Sequence, residues 1–137
     1  VTKFVTLEVK SARNASDAKK VAQAVANSSL VKSSWNGEDP NWGRIIHAVG
    51  YSGASIREEF VDIYYESKAA CKGGLQAKTN PEVLRNIVSK PDFKITIDLG
   101  IGKANHRIYS SDLSPEYVDF NRSEYAYWKQ AKKDGLV

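Results

Sequence analysis

The sequence predicts a mixed α/β (α+β) fold, with helices packed on a mixed sheet. Segments that alternate apolar and polar residues, as half-buried strands do, lie near residues 2–9, 57–66 and 93–102. Segments with apolar residues at helical spacing separate these strands. With 137 residues, the chain is long enough to bury a core as one domain, residues 1–137, without disulfides or a metal ion.

The first strand is predicted in TKFVTLEV, whose apolar residues fall on one side: Val5, Leu7 and Val9. A helix follows, with Ser16 as its expected N-cap and Asp17 in its positively polarised first turn. Its small residues form a narrow stripe that fits close against a sheet: Ala18, Val21, Ala22 and Val25. We expect the NSS segment after Ala26 to end this helix.

A second helix is predicted within GEDPNWGRIIHAVGYSG, residues 37–53. Asp39 is its expected N-cap and Pro40 its first residue, since proline lacks the amide proton that would otherwise be unpaired there. Gly50 or Gly53 is expected to end it. Its apolar residues recur at helical spacing and are expected to be buried: Trp42, Ile45, Ile46 and Val49.

Gly43 and Arg44 in this helix admit two interpretations. A glycine here costs about 1 kcal/mol relative to alanine, a cost tolerated where a backbone or ligand approaches closely. In one interpretation, Gly43 makes room for a neighbouring strand and Arg44 pairs with an acidic residue. In the other, the helix start and Arg44 hold a carboxylate, which makes Arg44 a weaker candidate for substrate binding.

The second half of the chain predicts further strands and one more helix. REEFVDIYYE is expected to be a strand with Val61, Ile63 and Tyr65 on its buried side, followed by a turn at Gly73–Gly74. Asn80 and Pro81 are typical of a helix start, and Pro91 stops that helix. Three further strands are predicted in FKITIDLGIG, HRIYSSDLS and YVDFN, the last two divided by Ser114–Pro115.

Composition narrows the possible functions. The net charge is +4, but acidic residues interrupt the basic ones and no nucleic-acid-binding motif occurs, so we expect no nucleic-acid partner. No apolar run approaches the roughly 20 residues of a membrane span. The single cysteine, Cys71, favours a reducing compartment. The chain has no signal-peptide pattern and no methionine, so we expect a processed chain or a piece of one.

Other reactive-looking residues give weaker signals. His106 has no cysteine or second histidine at ligand spacing, so we expect no metal site, and His47 lies among apolar neighbours and is expected to be structural. Ser110, Ser111 and Asp112 near His106 are of the residue types found in hydrolase triads, which only geometry can establish. GIGKANH lacks the full spacing of a phosphate-binding loop.

Several motifs together resemble the ornithine acetyltransferase family, also called glutamate N-acetyltransferase or the bifunctional arginine-biosynthesis protein. ANSSLVKSS and DPNWGRIIHAVG resemble the family's ANSPLVKTA-like stretch and its DPNWGRI…AVG helix. VTKF, ITIDLGIGKA and SSDLSPEYVDFN resemble further family segments in the same order. The resemblance extends from Thr2 to about Asn121, and it implies the carboxyl-terminal region of the fold of that family.

The resemblance implies a specific chemistry. Family members cleave themselves before a threonine, and that threonine then takes the acetyl group of N-acetylornithine. Ornithine leaves, and glutamate accepts the acetyl group from the acetyl-enzyme; some members also use acetyl-CoA. An activated hydroxyl and an oxyanion hole carry such a reaction, and the resemblance implies neither metal nor bound cofactor.

The family's nucleophile precedes the region that resembles this chain. So do its oxyanion-hole threonine–glycine pair, its substrate-binding lysine and a substrate-binding glutamate. The resemblance therefore implies that this chain is the carboxyl-terminal part of the second subunit (the beta chain), with no catalytic residue of its own and inactive alone. Its partners would be the alpha chain and the amino-terminal part of the beta chain, in a heterotetramer located in the cytoplasm or, in a eukaryote, the mitochondrial matrix.

One family substrate residue has a direct counterpart here. The family's asparagine near its carboxyl terminus corresponds to Asn121, whose amide would bind polar groups of the amino-acid substrate. A family threonine or serine five positions later corresponds to Ala126, and a one-residue insertion would place Tyr127 there as a weaker candidate. The altered end leaves an alternative open: a non-catalytic amino-acid-binding or assembly module that retains the fold.

Overall fold

A six-stranded mixed sheet organises residues 2–113, the part of the chain that the computed structural model describes. The strands are β1 (Phe4–Ala12), β2 (Asp62–Tyr65), β3 (Lys68–Lys72), β4 (Leu75–Gln76), β5 (Asp92–Asp98) and β6 (Ala104–Ser111). The helices are α1 (Ala15–Ala26), α2 (Ser29–Asn36), α3 (Trp42–Gly50) and α4 (Pro81–Val88), with a 3-10 turn at Glu58–Phe60. The predicted mixed α/β (α+β) class is confirmed.

The strand order in the sheet is β4-β3-β2-β5-β1-β6, which places β1 between two strands from the end of the described chain. β1 pairs with β5 in parallel and with β6 antiparallel, so Leu7 lies opposite both Ile95 and Ile108. The side of β1 that carries Val5, Leu7 and Val9 is fully buried, as its alternation predicts. Helix α1 packs on β1 and β6, and α4 packs on β2, β3 and β5.

Two of the three helix starts predicted from the sequence were misplaced, those of α1 and α3. Helix α1 begins at Ala15, one residue before the expected cap, because the Asn14 side chain caps it by accepting the N–H of Asp17 at 2.8 Å. Ser16 is therefore not its N-cap. Helix α3 begins after Asn41, whose Oδ1 accepts the N–H of Arg44 at 3.1 Å, so the prediction of Asp39 was wrong. Pro40 consequently lies before α3 rather than at its first position.

The start of α4 follows its prediction. Asn80 caps it by accepting the N–H of Glu82 at 2.9 Å, and Pro81 is its first residue. The predicted stripe is buried at Leu84, Ile87 and Val88.

Three elements differ from the predicted strands and helices. Helix α2 follows α1 directly, where only the end of a helix was predicted, and the Ser28 side chain caps it. The turn at Gly73–Gly74 is confirmed, but it joins two strands, β3 and β4, that were not predicted. The strand predicted across residues 57–66 is shortened to Asp62–Tyr65 by the 3-10 turn before it. The strand predicted at YVDFN lies outside the described residues.

An aromatic cluster joins α2 to the sheet. The ring of Trp35 meets Phe93 edge-on, with centroids 6.4 Å apart, and Tyr65 packs on the same Phe93 at 6.5 Å. Trp35 and Tyr65 are fully buried, and burial raises the pKa of the Tyr65 phenol. Among residues 2–113, neither the Trp35 indole N–H nor the Tyr65 hydroxyl has a hydrogen-bond partner. Packing therefore holds this cluster without help from its polar atoms.

The turn between β5 and β6 lies against the backbone of β1. Ile101 donates its N–H to the carbonyl of Ser11 at 3.0 Å. A β-carbon on Gly102 would lie 2.1 Å from the carbonyl oxygen of Ala12, far inside any permitted contact.

We therefore expect Gly102→Ala to lower the free energy of unfolding by about 3 kcal/mol, because one backbone must move away from the other. Urea denaturation of the 137-residue chain measures this. Gly37→Ala is the control: its β-carbon would make only ordinary contacts, the nearest at 3.6 Å, so we expect a change within about 0.5 kcal/mol. Equal effects of the two substitutions would contradict the close approach at Gly102.

Candidate functional site

A buried carboxylate, Asp112, joins three separate parts of the chain. Its Oδ1 accepts the backbone N–H groups of Thr2 and Lys3, each at 2.8 Å. Its Oδ2 accepts the Thr2 hydroxyl at 2.6 Å and the side-chain amide of Asn36 at 2.8 Å. The start of β1, the end of α2 and the chain just after β6 therefore meet at one side chain.

These hydrogen bonds determine the ionisation of Asp112. Burial by itself acts to raise the pKa of this carboxyl, because it disfavours the charged form. The hydrogen bonds from Thr2, Asn36 and Lys3 outweigh burial and hold the pKa well below its usual range. Asp112 is therefore an anion throughout the physiological pH range.

A partly buried ion pair lies beside Asp112. The Lys3 side chain is largely buried, and its Nζ donates to Glu38 Oε2 at 3.3 Å and to the carbonyl of Lys90 at 3.1 Å. Glu38 adopts a left-handed backbone with φ of 55°, which is uncommon for a residue other than glycine. Lys3 thus links β1 to the loop after α2 and to the residues before β5.

Arg44 ties α3 to α2 through hydrogen bonds. Its Nη1 donates to the carbonyl of Leu30 at 2.8 Å and lies 3.4 Å from the Ser33 hydroxyl. Within the described residues it forms no ion pair, so the acidic partner expected in one interpretation is absent there. Its Nε and Nη2 make no hydrogen bond within residues 2–113.

The outer side of α3 borders an open cavity of about 450 Å³, which we call the α3 groove. Its lining residues are Gly43, Ile46, His47, Gly50, Tyr51, Ile56 and Glu58. The rings of His47 and Tyr51 meet edge-on at 5.1 Å along one side. Trp42 and Ile46 are only half-buried, so the burial predicted for them is incomplete, whereas Ile45 and Val49 are fully buried.

The face of the sheet opposite the helices carries paired polar and aromatic residues. Glu8 on β1 accepts from Arg107 at 2.7 Å and lies 3.1 Å from the ammonium of Lys94. The hydrogen bonds from Arg107 and then Lys94 lower the pKa of Glu8. Phe4 and Tyr109 stack on the same face at 5.5 Å, and each is more than half exposed. Basic side chains on the two neighbouring strands therefore pair with the carboxylate of Glu8.

The remaining reactive-looking residues have structural roles. Ser110 donates its hydroxyl to the carbonyl of Ala26 at 2.8 Å, while Asp112 binds the residues described above, so no triad forms through His106. Cys71 is buried, and burial raises the pKa of its thiol. The GIGKANH loop leads into β6, not into a helix of the kind that follows a phosphate-binding loop.

Two candidates from the sequence, Asn121 and Tyr127, lie outside the described residues, and so does Ala126. The last described residue, Leu113, donates its N–H to the carbonyl of Lys32 at 3.2 Å. Asp112 and Leu113 thus fix the point from which the segment that carries Asn121 begins.

Residues 2–113 contain neither a metal-binding cluster nor a membrane-spanning helix. No group of three or more histidine, cysteine or acidic side chains is arranged to hold a metal ion there. No helix in the same residues has the length and apolar character needed to cross a bilayer.

Comparison with known proteins identifies a family. The profile of the ArgJ family matches residues 1–126. The arginine biosynthesis bifunctional protein ArgJ of Geobacter sulfurreducens is 43% identical over 121 residues, which are 88% of this chain and 31% of that protein. The glutamate N-acetyltransferase of Methanocaldococcus jannaschii is 42% identical over 132 residues, covering 90% and 33% of the two chains. This chain thus spans about a third of these relatives.

A solved structure shares the fold. The crystal structure of the arginine biosynthesis bifunctional protein ArgJ from Bacillus halodurans superposes with a TM-score of 0.82 at 34% identity. The match covers 89% of this chain and 58% of that chain.

A further relative, a mitochondrial ArgJ from Schizosaccharomyces japonicus, is 38% identical over 126 residues, which are 88% of this chain and 29% of that protein.

We expect Asp112→Asn to lower the free energy of unfolding by about 3 kcal/mol, because it removes a buried charge acceptor shared by several donors. Its effect depends on pH in a defined direction. A carboxyl whose pKa is lower in the folded state stabilises the fold above its unfolded pKa of about 3.9 and loses that contribution as the pH falls below it. The difference between wild type and variant should therefore be constant from pH 5 to 7 and shrink below about pH 4.

Urea denaturation at a series of pH values tests this expectation. The matched control is Asp92→Asn, which changes an exposed carboxylate and should alter the unfolding free energy by less than about 0.5 kcal/mol at every pH. A difference for Asp112→Asn that grows in acid would contradict the lowered pKa.

Proposed function

The chain belongs to the ArgJ family, and on that premise we propose that it is one part of an enzyme that transfers an acetyl group from N-acetylornithine to glutamate. The single observation that carries this proposal is the family match over nearly the whole chain, at residues 1–126. The shared fold of a solved relative supports it.

In the proposed reaction, this chain binds and orients the amino acid, and the rest of the protein supplies the nucleophile. A hydroxyl of that other part attacks the acetyl carbonyl of N-acetylornithine, and ornithine leaves with its amine reprotonated. The amine of glutamate then attacks the acetyl-enzyme and regenerates the hydroxyl. Acetyl-CoA is a second possible donor of the same acetyl group.

Within this chain, we assign substrate binding to Asn121, whose amide both donates and accepts hydrogen bonds. Support comes from Asp112, which anchors the chain nine positions earlier. Arg44 and Tyr127 are weaker candidates. Arg44 keeps Nε and Nη2 for a further contact after binding Leu30 through Nη1.

We further propose that the chain works within a larger assembly. It is the carboxyl-terminal domain of a beta chain and acts with the alpha chain and the amino-terminal part of the same beta chain, in a heterotetramer. Its span of about a third of its relatives supports this division. We place the assembly in the cytoplasm, or in the mitochondrial matrix if the source is a eukaryote, as the name of the Schizosaccharomyces japonicus relative suggests for that protein.

A second candidate function is a binding or assembly module without turnover. Ala126 favours it, because a hydroxyl residue is expected at the corresponding position of the family. Calorimetry with ornithine and glutamate on the complete protein separates the two functions, since binding without acetyl transfer supports the module.

We expect acetyl transfer when this chain completes a relative. In the fusion protein, residues 1–137 replace the matched third of Geobacter sulfurreducens ArgJ. The measurement is the rate of N-acetylglutamate formation from N-acetylornithine and glutamate, with unmodified ArgJ as the reference and the isolated 137-residue chain as the inactive control. A folded fusion protein that binds both substrates without turnover would contradict the enzyme proposal and favour the module.

Replacing Asn121 with alanine in the fusion protein should raise KM for N-acetylornithine about tenfold, as the loss of one substrate hydrogen bond does, and change kcat much less. Asn105→Ala is the control, because the one side-chain hydrogen bond of Asn105 within residues 2–113 is accepted from the backbone N–H of Ser11, at 3.2 Å and near the surface. Equal KM values for wild type and Asn121→Ala would show that Asn121 does not bind substrate.

A further inference from the structure

The α3 groove has a feature that the packing of residues 2–113 does not explain. A β-carbon on Gly50 would meet no atom within 4 Å, and one on Gly43 would meet only Asn41 Oδ1, at 3.4 Å. Neither glycine has a left-handed backbone. The neighbouring strand that one of the two interpretations places beside Gly43 is therefore absent from the described residues, and within them the space above both glycines is open.

Gly43 lowers the intrinsic stability of α3, whereas Gly50 is the last residue of that helix. A glycine inside a helix costs about 1 kcal/mol relative to alanine, and no contact made by residues 2–113 offsets that cost at Gly43. Gly43 and Gly50 lie seven residues apart, so they project on the same side of the helix about 10.5 Å from each other. This strip, with Ile46 and His47 between the two glycines, permits another backbone to approach α3 closely at each glycine.

The rims of the groove also lack partners. Tyr51 is 59% exposed, although its ring is large and apolar, and Ile46 and Ile56 are only half-buried at the floor. Glu58 also borders the groove, and its carboxylate forms no ion pair within residues 2–113. The groove therefore combines a narrow apolar floor, an aromatic rim and an acidic rim.

We propose that the α3 groove is the docking surface for an apolar segment of the remaining ArgJ polypeptide, with a basic side chain of that segment beside Glu58. This inference rests on the proposed function in one respect, that the chain works as part of a longer protein. About two thirds of the length of the curated relatives lies outside the matched region, which leaves ample chain to fill the groove.

A second copy of this chain fits the groove less well. Two copies with a net charge of +4 repel each other, and a stable pair would bury about 800 Å² on each partner, far more than this narrow strip offers. Two turns of α3 are enough for one crossing segment of a larger interface.

Cysteine labelling tests the proposal directly. His47→Cys puts a smaller side chain at the groove, so it does not block docking, and the native Cys71 is buried and reacts slowly. We expect maleimide to label position 47 at least about tenfold more slowly in the fusion protein than in the isolated 137-residue chain, because a docked segment must open first. Peptide mass spectrometry reads each position separately. Ser16→Cys, on the exposed side of α1, is the control and should react at the same rate in both proteins.

A second variant gives the proposal an independent test. Gly50→Leu leaves the isolated chain folded, because the space over Gly50 is open, but it fills the strip that the docking segment needs. In the fusion protein it should therefore remove the protection of position 47, whereas Ser16→Leu should not. If the fusion protein does not fold, the amino-terminal two thirds of Geobacter sulfurreducens ArgJ is added to the isolated chain as a separate polypeptide, with the same readout.

Each outcome decides between named alternatives. Equal labelling of position 47 in the isolated chain and in the complete protein overturns the proposal. Protection that appears in the isolated chain as its concentration rises assigns the groove to a second copy and also overturns it. Protection of position 47 without acetyl transfer supports docking and contradicts only the enzyme proposal. Acetyl transfer without protection of position 47 supports the enzyme proposal and contradicts docking.

Discussion

The hydrogen bonds to the Asp112 carboxylate are the constraint on which the rest of the structure depends. Thr2 and Lys3 at the start of β1 and Asn36 at the end of α2 donate these hydrogen bonds, and Asp112, just after β6, accepts them. None of these segments is near another in sequence, so a single anion fixes their relative positions. The buried charge is stabilised because both carboxylate oxygens of Asp112 accept hydrogen bonds. The Lys3 ammonium, bound to Glu38 and to the Lys90 carbonyl, extends the same tie towards β5.

Local rules in the sequence were enough to predict much of this fold. Strand alternation identified the buried sides of β1 and β2, and the Asn80–Pro81 pair identified the start of α4, because these signals depend on neighbouring residues only. Helix α2 escaped prediction because its eight residues are mostly polar and its place comes from tertiary contacts, among them the burial of Trp35 against Phe93 and the hydrogen bond from Asn36 to Asp112. The caps of α1 and α3 were misplaced because each segment offers two competing side chains.

The candidate site was less predictable from sequence, for a physical reason. The partners of Asp112 lie at the other end of the chain, so no spacing rule reveals them, and the residue stood out only as a possible triad member. Asn121 and Tyr127 came from resemblance alone. Gly43, by contrast, signalled a close approach through its cost within a helix, and the structure shows that no part of residues 2–113 makes that approach. The interpretation that Gly43 makes room for a neighbouring strand therefore has no support within residues 2–113, and the interpretation that the helix start and Arg44 hold a carboxylate stays a prediction.

The central position of β1 has a consequence for how this protein is made. Of the six described strands, β1 leaves the ribosome first, yet both of its neighbours in the sheet, β5 and β6, are the last two of the six. Its hydrogen-bonding edges therefore wait for these two partners until residues 92–111 have been made. Such distant pairing slows folding and leaves a nascent strand open to association with other chains. Because of this strand order, a molecular chaperone that covers β1 until β6 has emerged would reduce such association.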